Sequence, residues 1–285
     1  LAKLGIFMYL SRQLSKRQDK IKDFKTGFLP VILPVLLICA LIAPANLSTA
    51  LLTGATSLFL LFIGMASLKH IGLVILLAAI PVVMLIGFAK MYYNEETGKA
   101  DPMPAALTKG RVETWIKRVQ SFMYADKAEA SYQVQQAKIA IAKGSWMGLG
   151  PGNSEARNFL PHPYSDFIYA IIIEEYGLLG AAVMLLIYLL FLYRCIRIMR
   201  KCPYAFGAFL SLALGFTLVI QALANMAVNV NLFPVTGVTL PLVSMGGSSF
   251  LFTCLSIGII LSVARNVEIL EGKAAPQTQQ EGETK

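Results

Sequence analysis

Residues 166–193 read DFIYAIIIEEYGLLGAAVMLLIYLLFLY, and what this stretch can be decides the fold. A helix needs about 20 mostly apolar residues to cross the hydrocarbon of a bilayer, and from Tyr176 to Tyr193 there is no charged side chain. Arg194, Arg197, Arg200 and Lys201 follow at once, as they do where a span ends on the cytoplasmic side. Working outward, residues 28–43, 47–65, 70–88, 204–230 and 238–264 repeat the pattern, and residues 1–14 look like the end of another span. Pro30 and Pro34 interrupt the shortest of these, which membrane helices tolerate when neighbours satisfy the freed carbonyls. The expectation is an all-α polytopic membrane protein with six to seven spanning helices.

Composition agrees. Of 285 residues, 56% are hydrophobic and 14% charged, against roughly 25% charged in soluble domains, so a soluble globular protein is excluded. The net charge of +9 does not point to nucleic acid, because the basic residues sit in short segments between apolar runs, where topology signals belong. Cys39, Cys195, Cys202 and Cys254 lack C-x-x-C spacing and read as packing residues. With His70 and His162 alone and no H-E-x-x-H, zinc hydrolysis is not indicated. The chain opens on Leu1 rather than Met and is read as a fragment or processed chain.

Short loops rich in Lys and Arg stay in the cytoplasm. Arg12, Lys16, Arg17, Lys20, Lys22 and Lys25 mark one such loop and the run after Tyr193 another. Counting spans between them puts residues 90–165 and 231–244 outside. The outer loop is itself basic, but the rule weakens beyond about 60 residues. Residues 1–270 form one membrane domain on this reading, and the polar residues 271–285 a disordered cytoplasmic tail.

Long loops in compact proteins commonly carry function. Residues 95–104 read as a solvated turn. From Arg111 to Lys143, apolar residues (Val112, Trp115, Ile116, Val119, Phe122, Met123) recur at helical spacing beside Arg111, Lys117 and Arg118, the pattern of an amphipathic helix on a membrane surface. The run from Gly144 through Gly148, Gly150 and Gly152 follows no strand and opens no dinucleotide-binding unit. It is either a flexible connector or a backbone cradle for a phosphate or sugar.

Asp166 falls in the first turn of a span at its outer mouth, as a helix-dipole partner or a base. Glu174 and Glu175 lie about 12 Å deeper, where carboxylates need a partner or a wet cavity. At 100° per residue Glu174 is about 80° and Glu175 about 180° around the helix from Asp166, so the three cannot form one tight dyad. The glutamates are read as support for neighbouring helices. Residues 231–249, with Pro234, Gly237, Pro241 and Gly246, are too apolar for free solvation and too broken for a helix, so they read as a re-entrant segment walling the outer site. Gln221, Asn225, Asn229 and Asn231 either bind sugar hydroxyls or bond between helices.

Ala2-Lys3-Leu4, Tyr132-Gln133, Gly148-Leu-Gly150-Pro-Gly152-Asn-Ser, Leu160-Pro161, Asp166-Phe-Ile, Glu174-Glu-x-Gly177 and Pro234-x-x-Gly237-x-x-Leu-Pro241-x-x-Ser244-x-Gly246-Gly-Ser together resemble the SEDS family (FtsW/RodA/SpoVE) over residues 1–267. Thr239-Leu-Pro241 resembles its cell-division branch. The resemblance implies about ten spans, the first three and part of the fourth lying outside this sequence. It also implies a peptidoglycan glycosyltransferase that polymerises lipid II at the outer face of the bacterial cytoplasmic membrane during division. Partners would be lipid II, undecaprenyl pyrophosphate, a class B penicillin-binding protein, other division proteins and membrane lipid. The family's aspartate maps onto Asp166 and the lysine of its Glu-x-x-Lys pair onto Lys3; Gln133, Ser244, Gly246, Gly247 and Ser248 fall in its motifs as substrate-binding positions. Ala43-Pro44-Ala45-Asn46, His162-Pro163-Tyr164-Ser165 and Met245 depart from it.

Polymerisation requires a sugar 4-hydroxyl to attack an anomeric carbon and expel a polyprenyl pyrophosphate. One base is needed, the implied role of Asp166, and positive charge for the leaving group from Lys3, Arg111, Lys117, Arg118 or a divalent cation, Mg or Mn. The alternatives are a flippase for the lipid-linked precursor, drawing on Glu174 and Glu175, and a noncatalytic division scaffold.

Overall fold

The computed structural model describes residues 2–18, 20–94, 99–100, 111–124, 132–160 and 163–282. The chain is helical, as the apolar runs require. Helix α1 covers Ala2–Lys16, and a π-helical turn at Phe24–Phe28 runs into α2, Leu29–Ile42. Helix α3 is Leu47–Ile63 and α4 is Leu68–Met91. In the long loop stand α5, Val112–Met123, and α6, Tyr132–Gly144. Helix α7 is Ile168–Lys201, α8 Ala205–Asn229 and α9 Gly247–Gly282. Backbone pairing of Tyr93–Asn94 (β1) with Lys99–Ala100 (β2) makes a two-residue antiparallel hairpin; the rest of the turn expected over residues 95–104 lies outside the described residues.

Five stretches are long and apolar enough to cross a membrane: Phe24–Ile42, Leu68–Met91, Ile168–Lys201, Ala205–Asn229 and Gly247–Leu270. Helix α3 is apolar but has 17 residues; it starts where the Asn46 side chain accepts from Thr49 N at 3.1 Å, a standard N-cap. Helix α8, the most buried of the spans, packs against α1, α3, α7 and α9. Around it Phe7, Leu10 and Leu14 of α1, Leu60 and Leu61 of α3, and Leu212 and Leu214 of α8 close one core. A second, of Tyr169, Ile173, Tyr188, Val219, Ala222 and Leu240, lies toward the other end. Leu33, Leu37 and Leu41 of α2 and Leu73, Leu76, Leu77 and Ile80 of α4 point outward. Apolar area of that extent suits hydrocarbon, not water.

Several boundaries differ from the sequence expectation. The first span begins at Phe24, because the π turn adds a winding ahead of Pro30. Helix α7 continues through the basic run to Lys201; Arg, Lys and Leu-rich sequence favours helix, so this cytoplasmic marker is not a loop. Residues 238–246 belong to the irregular outer segment and α9 begins only at Gly247. Helix α9 is Gly247–Gly282, so it extends past residue 271, the expected start of the disordered tail. The amphipathic stretch 111–143 is two helices rather than one. Helix α5 turns its apolar side to α4, not to lipid: Ile116 is buried and Gln120 Nε2 donates to Ala89 O and Tyr92 O at 3.0 and 3.1 Å.

Contacts between loops define one end of the bundle. Arg111 Nη1 donates to Ala45 O, and Met245 N donates to Tyr164 O at 2.8 Å. The α2–α3 turn, the long loop and residues 231–246 therefore gather at one end, as alternate crossings require.

Candidate active site

Asp166 does not sit in the first turn of α7. It lies in the turn leading into it, two residues before Ile168, with a half-exposed side chain. Ser165 Oγ donates to Asp166 Oδ1 at 3.0 Å. On the other side of the carboxylate is Gly237, where a methyl group would stand 3.6 Å from Oδ2. The outer segment thus forms one wall of the site. Gly237 has φ 69°, a conformation glycine adopts without a Cβ penalty, and Leu242 holds φ 67°, costly for a branched side chain.

Ser244 ties the two walls together. Its Oγ donates to Ser165 O and accepts from Leu240 N at 2.7 Å, so the hydroxyl expected to bind substrate is occupied with protein. Asn225 and Asn229 come up from α8: Asn225 Nδ2 donates to Asp166 O and Val238 O at 2.9 and 2.7 Å, and Asn229 Nδ2 to Asp166 O at 3.0 Å. Of the two uses the sequence left open for these amides, bonding between elements is the one observed. Thr236 Oγ1, buried beside Gly237, has no hydrogen-bond partner among the described residues.

Lys3 reaches the same segment from below. Its Nζ donates to Gln221 Oε1 at 3.4 Å, Gln221 Nε2 donates to Thr239 O at 3.0 Å, and Thr239 Oγ1 lies 3.2 Å from Ser249 Oγ. Gly247 and Ser248 are exposed at the start of α9, and Gly246 O accepts its first-turn bond from Phe250 N at 2.8 Å. Gln133 is half-buried on α6.

The basic residues of α5 are not brought to Asp166. Helix α5 packs on α4, Arg111 bonds Ala45 O, and Lys117 pairs with Glu113 at 2.6 Å one turn away. Arg118 is exposed. His162 lies outside the described residues. Around Asp166 the donor set is one carboxylate and one hydroxyl, and no group of three His, Cys, Asp or Glu gathers to hold a metal ion among the described residues. These side chains do not by themselves build a Mg or Mn site.

Glu174 has a role the sequence only bracketed. It is fully buried and accepts from Ser154 Oγ, Glu155 N at 3.3 Å and Ala156 N at 3.3 Å. It thereby caps the short turn Ala156–Asn158, and hydrogen bonds to a charged acceptor contribute about 1.5–3 kcal/mol each. The glycine run is neither a loose connector nor an anion cradle. Leu149 N donates to Glu174 O and Gly150 N to Glu175 O, both at 2.9 Å, so it docks edge-on against α7. A Cβ at Gly148 would lie 2.6 Å from Gly177 N, and one at Gly177 2.7 Å from Gly148 N. Nearby, Lys143 pairs with Glu155; the bond raises the lysine's pKa and lowers the glutamate's.

The model of the FtsW/RodA/SpoVE family, described as cell cycle protein, matches residues 1–269. The chain belongs to the FtsW/RodA/SpoVE family. Among relatives in this family, the probable peptidoglycan glycosyltransferase FtsW of Nitrosococcus halophilus is 33% identical over 267 residues, 92% of this chain and 64% of that protein. Stage V sporulation protein E of Bacillus subtilis is 29% identical over 269 residues, 92% of this chain and 67% of that protein. The chain thus spans about two thirds of the length of these FtsW/RodA/SpoVE relatives. Of solved structures, a chain described under structural coordination of polymerization and crosslinking by a peptidoglycan synthase complex superposes with TM-score 0.66 at 20% identity, covering 93% of this chain and 68% of that one. A mutant of the Thermus thermophilus rod shape determining protein RodA superposes with TM-score 0.57 at 20% identity, covering 93% and 64%. These two likenesses establish the fold.

Proposed function

We propose that this protein polymerises a lipid-linked disaccharide into glycan strands at the outer face of the cytoplasmic membrane, with Asp166 as general base. The observation that carries this reading is one half-buried carboxylate between the mouth of α7 and the outer segment, bonded by Ser165 and facing Gly237. The positive-inside distribution of Arg12 to Lys25 and Arg194 to Lys201 supports the outer face. Relatives named probable peptidoglycan glycosyltransferase FtsW support the reaction, and the family description, cell cycle protein, supports a role in division.

Asp166 takes the proton of the attacking 4-hydroxyl as the bond to the anomeric carbon forms. The polyprenyl pyrophosphate departs with the bonding electrons, so no second carboxylic acid is needed of the kind glycoside hydrolysis uses. Lys3, linked through Gln221 and Thr239 to the wall of the site, supplies positive charge on the leaving-group side. A class B penicillin-binding protein consumes the strands by cross-linking them.

Asp166→Asn tests the assignment. The protein holds Asp166 by its main-chain carbonyl, so the variant keeps the fold and loses only the base. With labelled lipid II and the cross-linking partner present it makes no polymer; undiminished polymer overturns the role.

A further inference from the structure

Helix α7 ought to begin at Asp166. Its carbonyl and Ala170 N are the pair that would close a first turn, since helical N–H groups bond four residues back. They do not meet. Asn229 occupies the gap: its Oδ1 accepts from Ala170 N at 3.1 Å and its Nδ2 donates to Asp166 O at 3.0 Å. A side-chain amide has one acceptor and two donor hydrogens, so this orientation alone satisfies both backbone groups. Ala170 N turns its other contact to Phe167 O at 3.1 Å, and the helix starts at Ile168.

Asn225, one turn earlier on the same face of α8, steadies the wedge. Its Oδ1 lies 3.2 Å from Asn229 Nδ2, and its own Nδ2 donates to Asp166 O and Val238 O. Both asparagines are 1% exposed. Val238 follows Gly237, which faces the Asp166 carboxylate. One pair of amides on the central helix therefore sets the base and the opposing wall together.

We propose that Asn229, backed by Asn225, is a positioning residue that holds Asp166 out of helix α7 by standing in for its first-turn hydrogen bond. This rests on Asp166 being the base. Without the wedge, Asp166 O and Ala170 N bond directly, α7 lengthens by one residue at its N-terminus, and the carboxylate swings about the helix axis away from Gly237. The backbone groups remain satisfied, so the fold persists while the aim is lost.

The test compares Asn229→Ala with wild type and Asp166→Asn, using the full chain in proteoliposomes with labelled lipid II. We expect Asn229→Ala to lower kcat about 100-fold, the scale of an ångström of misplacement, with KM and melting temperature close to wild type. Asn229→Asp, which keeps an acceptor for Ala170 N and loses the donor for Asp166 O, serves if the alanine variant does not fold, with the same loss expected. A second readout needs no turnover: in a background lacking the native cysteines, Asp166→Cys should react with an impermeant maleimide at a rate that Asn229→Ala changes about tenfold, as the side chain joins the helix. If Asp166→Asn is inactive while both Asn229 variants keep wild-type kcat and the labelling rate is unmoved, the positioning role is wrong and the base stands. An active Asp166→Asn overturns the base and this inference with it. Loss of kcat only in proportion to loss of folded protein makes Asn229 a packing residue and also overturns it.

Discussion

Replacing Gly177 by alanine tests the joint between the outer loop and α7. Gly177 has φ 68° and ψ −169° in the middle of the helix, a region that only glycine occupies without strain of about 1–3 kcal/mol. The added methyl would also collide with Trp146 O and lie 2.7 Å from Gly148 N. Those are backbone atoms that no rotamer can move aside, and overpacking of this kind costs about 1–3 kcal/mol more. The expected destabilisation is therefore about 2–6 kcal/mol. Gly148→Ala should behave alike, since its methyl meets Gly177 N at 2.6 Å. The double variant should cost less than the sum, because the two collisions are one. Gly72→Ala is the control: nothing lies within 4 Å of its Cβ position on α4, and removing a helix-interior glycine gains about 0.5–1 kcal/mol. The assay is loss of the monodisperse size-exclusion peak with temperature in detergent. If Gly177→Ala melts with wild type while Gly72→Ala rises, the glycine run is not the joint described.

Glu174→Gln would turn an amide NH2 toward the Ser154, Glu155 and Ala156 donors; a drop of about 2–3 kcal/mol is expected, read in the same melting assay. For Lys143 and Glu155 the signs are opposite. The depressed glutamate contributes above its ordinary pKa and fades as pH falls through the lowered one; the raised lysine contributes below its ordinary pKa and fades as pH rises through the raised one. The melting difference between wild type and Lys143→Ala should accordingly be equal at about pH 6 and pH 8, and a slope between them would contradict the pairing. Lys3→Met, which keeps the apolar stem and loses the donor to Gln221, should leave folding intact and slow polymerisation of labelled lipid II; an unchanged rate removes Lys3 from the leaving-group side.

The spans were legible because hydrophobic runs of about 20 residues have few other fates, and α8 and α4 fall within three residues of their expected ends. The proposed base was legible as a carboxylate near a span mouth. Its exact setting was not, because what pulls Asp166 from the helix is an amide 63 residues away, and no local periodicity encodes that. Asn225 and Asn229 did leave a trace: with Gln221 they make three amides at i, i+4 and i+8 on a mostly apolar helix. Ser154 left none, since its meaning depends on which carboxylate folds over it. The basic residues of α5 misled for a related reason. Amphipathic spacing says that one face is apolar, not whether lipid or α4 covers it.

The position of Glu174 also bears on the proposed choice of surface chemistry over transport. Sequence alone put it inside the membrane, about two turns below the rim, where a buried carboxylate would suit a proton relay. Yet α6, the glycine run and the Ala156–Asn158 turn pack along α7 as far as Leu179. From Leu178 onward the side chains of Leu178, Leu179, Val183, Leu186, Ile187, Leu190 and Tyr193 turn outward. The uncharged stretch from Leu178 to Tyr193 is 16 residues, about 24 Å at 1.5 Å per residue, and Arg194 and Arg197 follow it on the same helix. Both glutamates precede the kink at Gly177, on the part of α7 that the glycine run and the Ala156–Asn158 turn cover. A carboxylate bonded by one hydroxyl and two fixed main-chain N–H groups is poorly placed to pass protons along. With Glu174 engaged in holding the loop, the carboxylate left for the proposed chemistry is Asp166, half-buried beside Ser165 and Gly237.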